Sequence, residues 1–286
     1  MCRKLALAAT ALIAVGLAQT ARADSAKPPT AGSASPAASS DADKTPPRKA
    51  SPEERAAADR LAPLTRAAFW ARETDLDPTD VDAAVRFAAA LREIGQYPEA
   101  ANEAERALVI DPKNLNALLE DARAQIARGQ GFYAIDPAQR AAALAPKDWR
   151  PLSLLGVAYV QVRRDDDAQT AWQAALGLSP DNPSVLANMA MARASQGDAA
   201  GAETLLRRAA AQPAASLQVR QDLSLVLGIE GKLTEAEKLL RENLPPEQAD
   251  ADLAYLQAVS SGHDQTAATP AASDARTWNS VKAAGG

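Results

Sequence analysis

The stretch "LSLLGVAYVQVRRDDDAQTAWQAALGLSP", residues 152–180, has an apolar helical pattern that small residues interrupt, as at Gly156 and Ala168. Small residues and prolines return at the same places when the chain is shifted along itself by 34 residues. Four such series are Pro78, Pro112, Pro146 and Pro180; Ala100, Ala134, Ala168, Ala202 and Ala236; Ala88, Ala122, Gly156, Ala190 and Ser224; and Ala107, Ala141, Ala175 and Ala209. A repeat of 34 residues therefore organises the chain.

This period and its residue pattern resemble the tetratricopeptide repeat (TPR), in which each unit is a pair of antiparallel helices. Small residues where the helices cross allow their axes to approach to about 8 Å, and the proline prevents the second helix from continuing. The sequence therefore predicts an all-α, right-handed α-solenoid of about five TPR helix pairs with flanking helices. The pairs occupy 81–250, as units 81–114, 115–148, 149–182, 183–216 and 217–250.

Three features adjoin or interrupt these units. Residues 53–80 predict a half-repeat helix in front of them, and residues 247–260 predict a capping helix with Tyr255 and Leu256 turned inward. Pro137 falls inside the second helix of its unit and predicts that this helix is shortened or kinked.

The N-terminus has the pattern of a cleaved secretory signal peptide over residues 1–23. Arg3 and Lys4 precede an apolar run at 5–18, and Ala21-Arg22-Ala23 places small residues where a signal peptidase needs them. A membrane anchor is the alternative, but a spanning helix needs about 20 apolar residues, more than this run supplies. We therefore expect a soluble periplasmic protein with no direct membrane insertion after cleavage.

Two segments are poor in large apolar residues, so the sequence predicts that they stay disordered. The first, 24–52, is a linker rich in Pro, Ser and Ala, and the second, 261–286, is a C-terminal tail that contains Trp278.

The charge and the cysteine count limit the possible partners. The formal net charge is -5, and removal of Arg3, Lys4 and Arg22 with the signal peptide would make it -8, so we expect no nucleic-acid partner. Cys2 is the only cysteine and lies before the apolar run, which leaves no site for a disulfide or a lipid anchor.

The sequence carries no metal-binding, phosphate-binding or nucleophile motif, and its only histidine, His263, lies in the tail. We therefore expect no enzymatic activity, no cofactor and no metal, although inspection leaves carboxylate-only and Ser–Lys catalysis open. The "RRDDD" run at 163–167 has two interpretations: a cation or phosphate site, or a solvated turn whose charges pair with one another. Trp172 and Trp70 are predicted to be core residues.

A TPR solenoid offers a concave groove lined by the first helix of every unit, which suits a peptide or helix of a partner protein. Counting from the unit starts places ten residues on this face, although several of them could instead pack between neighbouring first helices. They are Val85, Ala89, Leu119, Arg123, Ser153, Val157, Ala187, Met191, Gln221 and Leu225. Met191 and Leu225 are the strongest candidates.

Near the C-terminal end, "VRQDLSLVLGIEGKLTEAE" (219–237) and "LPPEQADADLAYL" (244–256) resemble the TadD family of tight-adherence (Flp) pilus assembly. The resemblance implies a scaffold that binds the pilus secretin or other Tad assembly components and assists assembly of the secretion system. TadD proteins are commonly lipoproteins, and this chain departs from that pattern. The alternative is a generic periplasmic TPR adaptor that recruits envelope or cell-wall proteins.

Overall fold

The residue just before the first helix of each unit caps the N-terminus of that helix with its side chain. Our computed structural model describes residues 48–260, and in this part of the chain the five first helices begin 34 residues apart. They are α3 (Val81–Glu93), α5 (Leu115–Ala127), α7 (Trp149–Gln161), α9 (Pro183–Ser195) and α11 (Leu217–Ile229). Each is capped by a side chain that accepts a hydrogen bond from an N–H of its first turn. These caps are Asp80, Asn114, Asp148, Asn182 and Ser216.

The second helix of each unit follows a tight turn and packs against the first. These helices are α4 (Tyr97–Ile110), α6 (Gly131–Leu144), α8 (Asp165–Leu178), α10 (Ala199–Ala210) and α12 (Leu233–Asn243). Four of the turns contain a glycine at positive φ, whereas the third has Arg163 at φ 62° in the left-handed region.

The small residues of the 34-residue series are buried where helices cross. Ala100, Ala134, Ala168, Ala202 and Ala236 are at most 1% exposed. Gly156 shows why one site has no side chain: a Cβ there would overlap the indole ring of Trp172 at Nε1. The predicted core role of Trp172 is confirmed, because it is 2% exposed and its Nε1 donates to the Ser153 carbonyl at 3.2 Å.

Two helices stand before the first unit, where a single half-repeat helix was predicted over 53–80. They are α1 (Pro52–Ala58) and α2 (Pro63–Leu76). Pro63 explains the break, because the residue before a proline is disfavoured in helical geometry and Ala62 is extended (ψ 146°). Trp70 on α2 is fully buried, as predicted.

The predicted linker 24–52 ends too late. Ser51 caps α1, and the Ala50 N–H donates to both carboxylate oxygens of the fully buried Glu73, at 3.0 and 3.1 Å. Residues 50–52 therefore belong to the folded part. The remaining linker up to residue 47, the signal peptide 1–23 and the tail 261–286 lie outside the described residues.

Two further expectations need correction in part. Pro137 does not shorten α6, which has 14 residues, as α4 and α8 do, and the alternative of a kink stays a prediction. The helix loses one hydrogen bond, to the carbonyl of Tyr133, which lies in an exposed first turn that water can reach. The capping helix α13 (Pro246–Ser260) packs on α11 and α12 with Leu256 buried, but Tyr255 is 36% exposed.

Candidate partner-binding groove

The ten predicted groove residues divide into two sets of different exposure. Five are buried by neighbouring helices, as the alternative of packing between first helices expects, so their side chains are not accessible on the groove surface. These are Leu119, Arg123, Ser153, Val157 and Ala187, all 8% exposed or less. Successive first helices pack on one another, and these side chains fill the space between them. The other five, Val85, Ala89, Met191, Gln221 and Leu225, are partly exposed.

Met191 and Leu225 line an open pocket of about 630 Å³ at the C-terminal ends of α7, α9 and α11, which we call the large pocket. Its other apolar lining residues are Val160, Ala194 and Ile229. Counting from the repeat missed these three, although each lies three or four residues after a predicted position on the same helix. This spacing of one helical turn could have found them.

Polar groups lie among these apolar side chains. Gln161 donates from Nε2 to the Ile126 carbonyl at 3.0 Å, while its buried Oε1 has no hydrogen-bond partner in the described chain. Arg163 and Asp165 also line the large pocket.

A second pocket of about 240 Å³, the small pocket, adjoins the large one and shares Val160, Asp165 and Gln196 with it. Besides Val160, its apolar lining residues are Ala168, Trp172, Met189 and Ala192. Its charged lining residues are Asp165, Asp166, Asp198 and Arg193. Arg193 pairs with Asp198 at 3.1 Å.

The "RRDDD" run forms the turn into α8 and its first residues, beside both pockets. Arg164 pairs with Asp167 at 2.7 Å and lies 4.6 Å from the centre of the Tyr159 ring. Among residues 48–260, no group of three His, Cys, Asp or Glu side chains is arranged to hold a metal ion. The Arg164–Asp167 pair agrees with the interpretation of the run as a turn whose charges partly pair with one another.

A buried ion-pair network crosses the first helices of units one and two. Glu120 accepts from Arg92 Nε at 3.0 Å and from Arg123 Nη1 at 2.5 Å, and all three residues are at most 8% exposed. Burial alone would raise the pKa of Glu120, but the two guanidinium groups outweigh that effect and hold the pKa below its ordinary value. Arg123, predicted as a groove residue, thus has a structural role.

Burial dominates at two other carboxyl groups of the first helices. It raises the pKa of Asp121 and of Asp222 to about 6 in each case, and the hydrogen bonds from Gln125 and Gln218 oppose that rise only in part. At about pH 5 both carboxyl groups are therefore mostly protonated in the folded protein, whereas they would be mostly ionised in the unfolded chain.

Asp222→Asn should stabilise the protein by about 3 kcal/mol at pH 7.5 and have little effect at pH 3.5. The ordinary pKa of Asp in an unfolded chain is about 3.9, so a raised folded-state pKa costs stability increasingly as the pH rises from about 4 to about 6. Urea unfolding from pH 3.5 to 7.5 measures the difference, with the exposed Asp75→Asn as control. If the stability difference between Asp222→Asn and the wild type did not change with pH, the raised pKa of the buried Asp222 carboxyl group would be contradicted.

Within residues 48–260, every helix is too short or too polar to span a lipid bilayer.

No protein-family model matches the chain, and no curated protein matches it. Among solved structures, a thermophilic TPR protein of Thermus thermophilus, TTC0263, has a TM-score of 0.56 at 22% identity, covering 62% of this chain and 98% of that one. MamA of Desulfovibrio magneticus RS-1 (residues 41 to the end) has a TM-score of 0.48 at 19% identity, covering 55% and 89%. The likeness to TTC0263 is one of fold, and together with the helix pairs it shows that the described chain is an all-α TPR solenoid.

Proposed function

We propose that this protein is a non-enzymatic scaffold that binds a segment of a partner protein in the groove at the large pocket. The observation that carries the proposal is the set of partly exposed apolar side chains, Met191, Leu225 and Ile229, that two neighbouring first helices present in one open cavity. TPR solenoids offer such a surface to extended or helical segments of other proteins.

The chemistry of the large pocket suits a peptide segment. An apolar side chain placed on Met191 and Leu225 would gain about 25 cal/mol for each Å² of apolar surface removed from water. These two side chains lie on packed helices that hold them in place, so the ordering cost falls mainly on the bound segment.

We place this scaffold in the periplasm, as an assistant in the assembly of a tight-adherence (Flp) pilus secretion system. The signal-like N-terminus supports the location, and the TadD-like run 219–237 supports the pilus role. Leu225 and Ile229 belong to that run and line the large pocket, so the stretch that carries the resemblance also builds part of the site. The partner would be the pilus secretin or another Tad assembly component.

Affinity capture from crosslinked cell envelopes tests this proposal. Met191→Glu with Leu225→Glu should reduce capture of secretin or other Tad components at least ten-fold, because two carboxylates would replace the apolar contacts. Leu64→Glu with Val109→Glu is the matched control, since these side chains are 70% and 83% exposed and lie outside the large pocket. Circular dichroism and melting curves should show all variants folded.

Equal capture by the groove variant and the wild-type protein would refute the groove as the binding site. Capture of cell-wall enzymes in place of pilus components, again lost in the groove variant, would replace the pilus role with the generic adaptor role.

A further inference from the structure

The two pockets together form a bipartite site, apolar on one side and acidic on the other. Asp165 and Asp166 have no ion-pair partner among residues 48–260, whereas Asp198 is paired with Arg193. Arg163 is the one further charge that lines the large pocket, so the uncompensated charge around the two pockets is negative. Such a site fits a segment in which a large apolar side chain lies next to basic ones.

The chain itself contains a segment with this chemistry. The sequence "RTWNSVK", residues 276–282, places Trp278 and Val281 between Arg276 and Lys282. It lies in the tail that follows α13, and Trp278 is the only aromatic residue after Tyr255. The apolar lining of the pockets is complementary to Trp278 and Val281, while the acidic side chains are complementary in charge to Arg276 and Lys282.

The tail starts close to the pockets. Leu256 of α13 packs against Gly228 of α11, where an added Cβ would lie 2.6 Å from Leu256 Cδ2, and Gly228 is next to the pocket residue Ile229. From Ser260 to Trp278 the chain has 18 residues and can span up to about 60 Å. Neighbouring packed helices are only about 8–10 Å apart, so the segment can reach α9 and α7 easily.

We propose that residues 276–282 occupy the two pockets of their own chain, with Trp278 in the large pocket and its basic neighbours beside Asp165 and Asp166. This inference rests on the proposed function, because the tail then competes with the partner for one site. A tether of this length gives an effective concentration of about 1 mM. If the segment bound with an intrinsic dissociation constant of about 0.1 mM, it would occupy the site in about nine molecules of ten and weaken partner binding about ten-fold.

Disulfide trapping in the full chain tests this contact. With Cys2→Ser as background, the pair Leu225→Cys and Ser280→Cys should form an intramolecular disulfide at least ten times faster than the pair Lys238→Cys and Ser280→Cys. The control site is matched, since Lys238 is exposed on α12, which packs against α13 just as α11 does. Peptide mass spectrometry of the monomer identifies the bond, and Trp278→Ala should slow the Leu225→Cys reaction to the control rate.

Equal rates for the two pairs, or a rate for the first pair that Trp278→Ala leaves unchanged, would overturn the proposal. The result is independent of partner capture. Failed trapping with capture still sensitive to Met191→Glu and Leu225→Glu would remove the tail contact and leave the proposed function standing. Successful trapping, with capture insensitive to those changes, would support the tail contact and refute the proposed binding site for the partner.

Discussion

Gly156→Leu is expected to lower the free energy of unfolding by about 3 kcal/mol, the upper part of the usual range for overpacking. Even the first added atom would meet the Trp172 indole, with three ring atoms within 2.6 Å of the Cβ position. Trp172 cannot give way cheaply, because it is buried and its Nε1 is bonded to the Ser153 carbonyl. Urea unfolding followed by circular dichroism measures the change.

Gly177→Leu is the matched control for that substitution. Gly177 is also in a helix, α8, but a Cβ there has no neighbour within 4 Å. Leucine favours helix over glycine by about 0.7 kcal/mol, so this variant should be slightly more stable than the wild type. The packing account fails if the two variants change stability by similar amounts. In a double variant, Trp172→Ala should make Gly156→Leu much less costly, because the clashing ring is gone.

Glu120→Ala is expected to cost about 3–5 kcal/mol, the range for breaking a buried ion pair. The substitution removes the carboxylate that both Arg92 and Arg123 bond, and these guanidinium groups would remain largely buried. Because the folded-state pKa of Glu120 is below its ordinary value, its contribution is present above pH about 4.3 and is lost as the pH falls through the folded-state pKa. The penalty of the substitution should therefore shrink in acid.

The comparison variant is Glu103→Ala, which removes a partly exposed ion pair with Arg106 on α4. Exposed pairs of this spacing contribute about 0.5 kcal/mol or less. Chemical denaturation at pH 7 and pH 3.5 measures both variants. An effect of Glu120→Ala as small as that of Glu103→Ala would mean that the buried network adds nothing to stability.

The repeat could be predicted from the sequence because each unit depends on a few residues at fixed spacing. Gly156 and the alanine series mark the helix crossings directly. Two prolines show what the sequence pattern does not predict. Pro63 separates α1 from α2, whereas Pro137 lies inside the full-length helix α6. The difference depends on whether the chain around each proline gains enough packing to offset the lost hydrogen bond, which the pattern does not encode.

The groove was harder to predict, because counting positions along a repeat gives the face of a helix and not how deeply each side chain is buried. Val157 and Ala187 point to the predicted face, but neighbouring first helices cover them. Met191 and Leu225 remain accessible, and they line the large pocket with Ile229, one turn beyond the predicted positions. The small pocket depends on the turn into α8 meeting α9, a contact between units that no single repeat contains.

Site-specific photo-crosslinking from position 191 in living cells tests the central claim most directly. A photoreactive amino acid in place of Met191 should crosslink to a pilus secretin or another Tad component, because that side chain lines the proposed binding site. The same amino acid in place of the 83% exposed Val109, outside both pockets, should give no such adduct. Adducts from position 109 but not from position 191 would show that partners bind elsewhere on the solenoid.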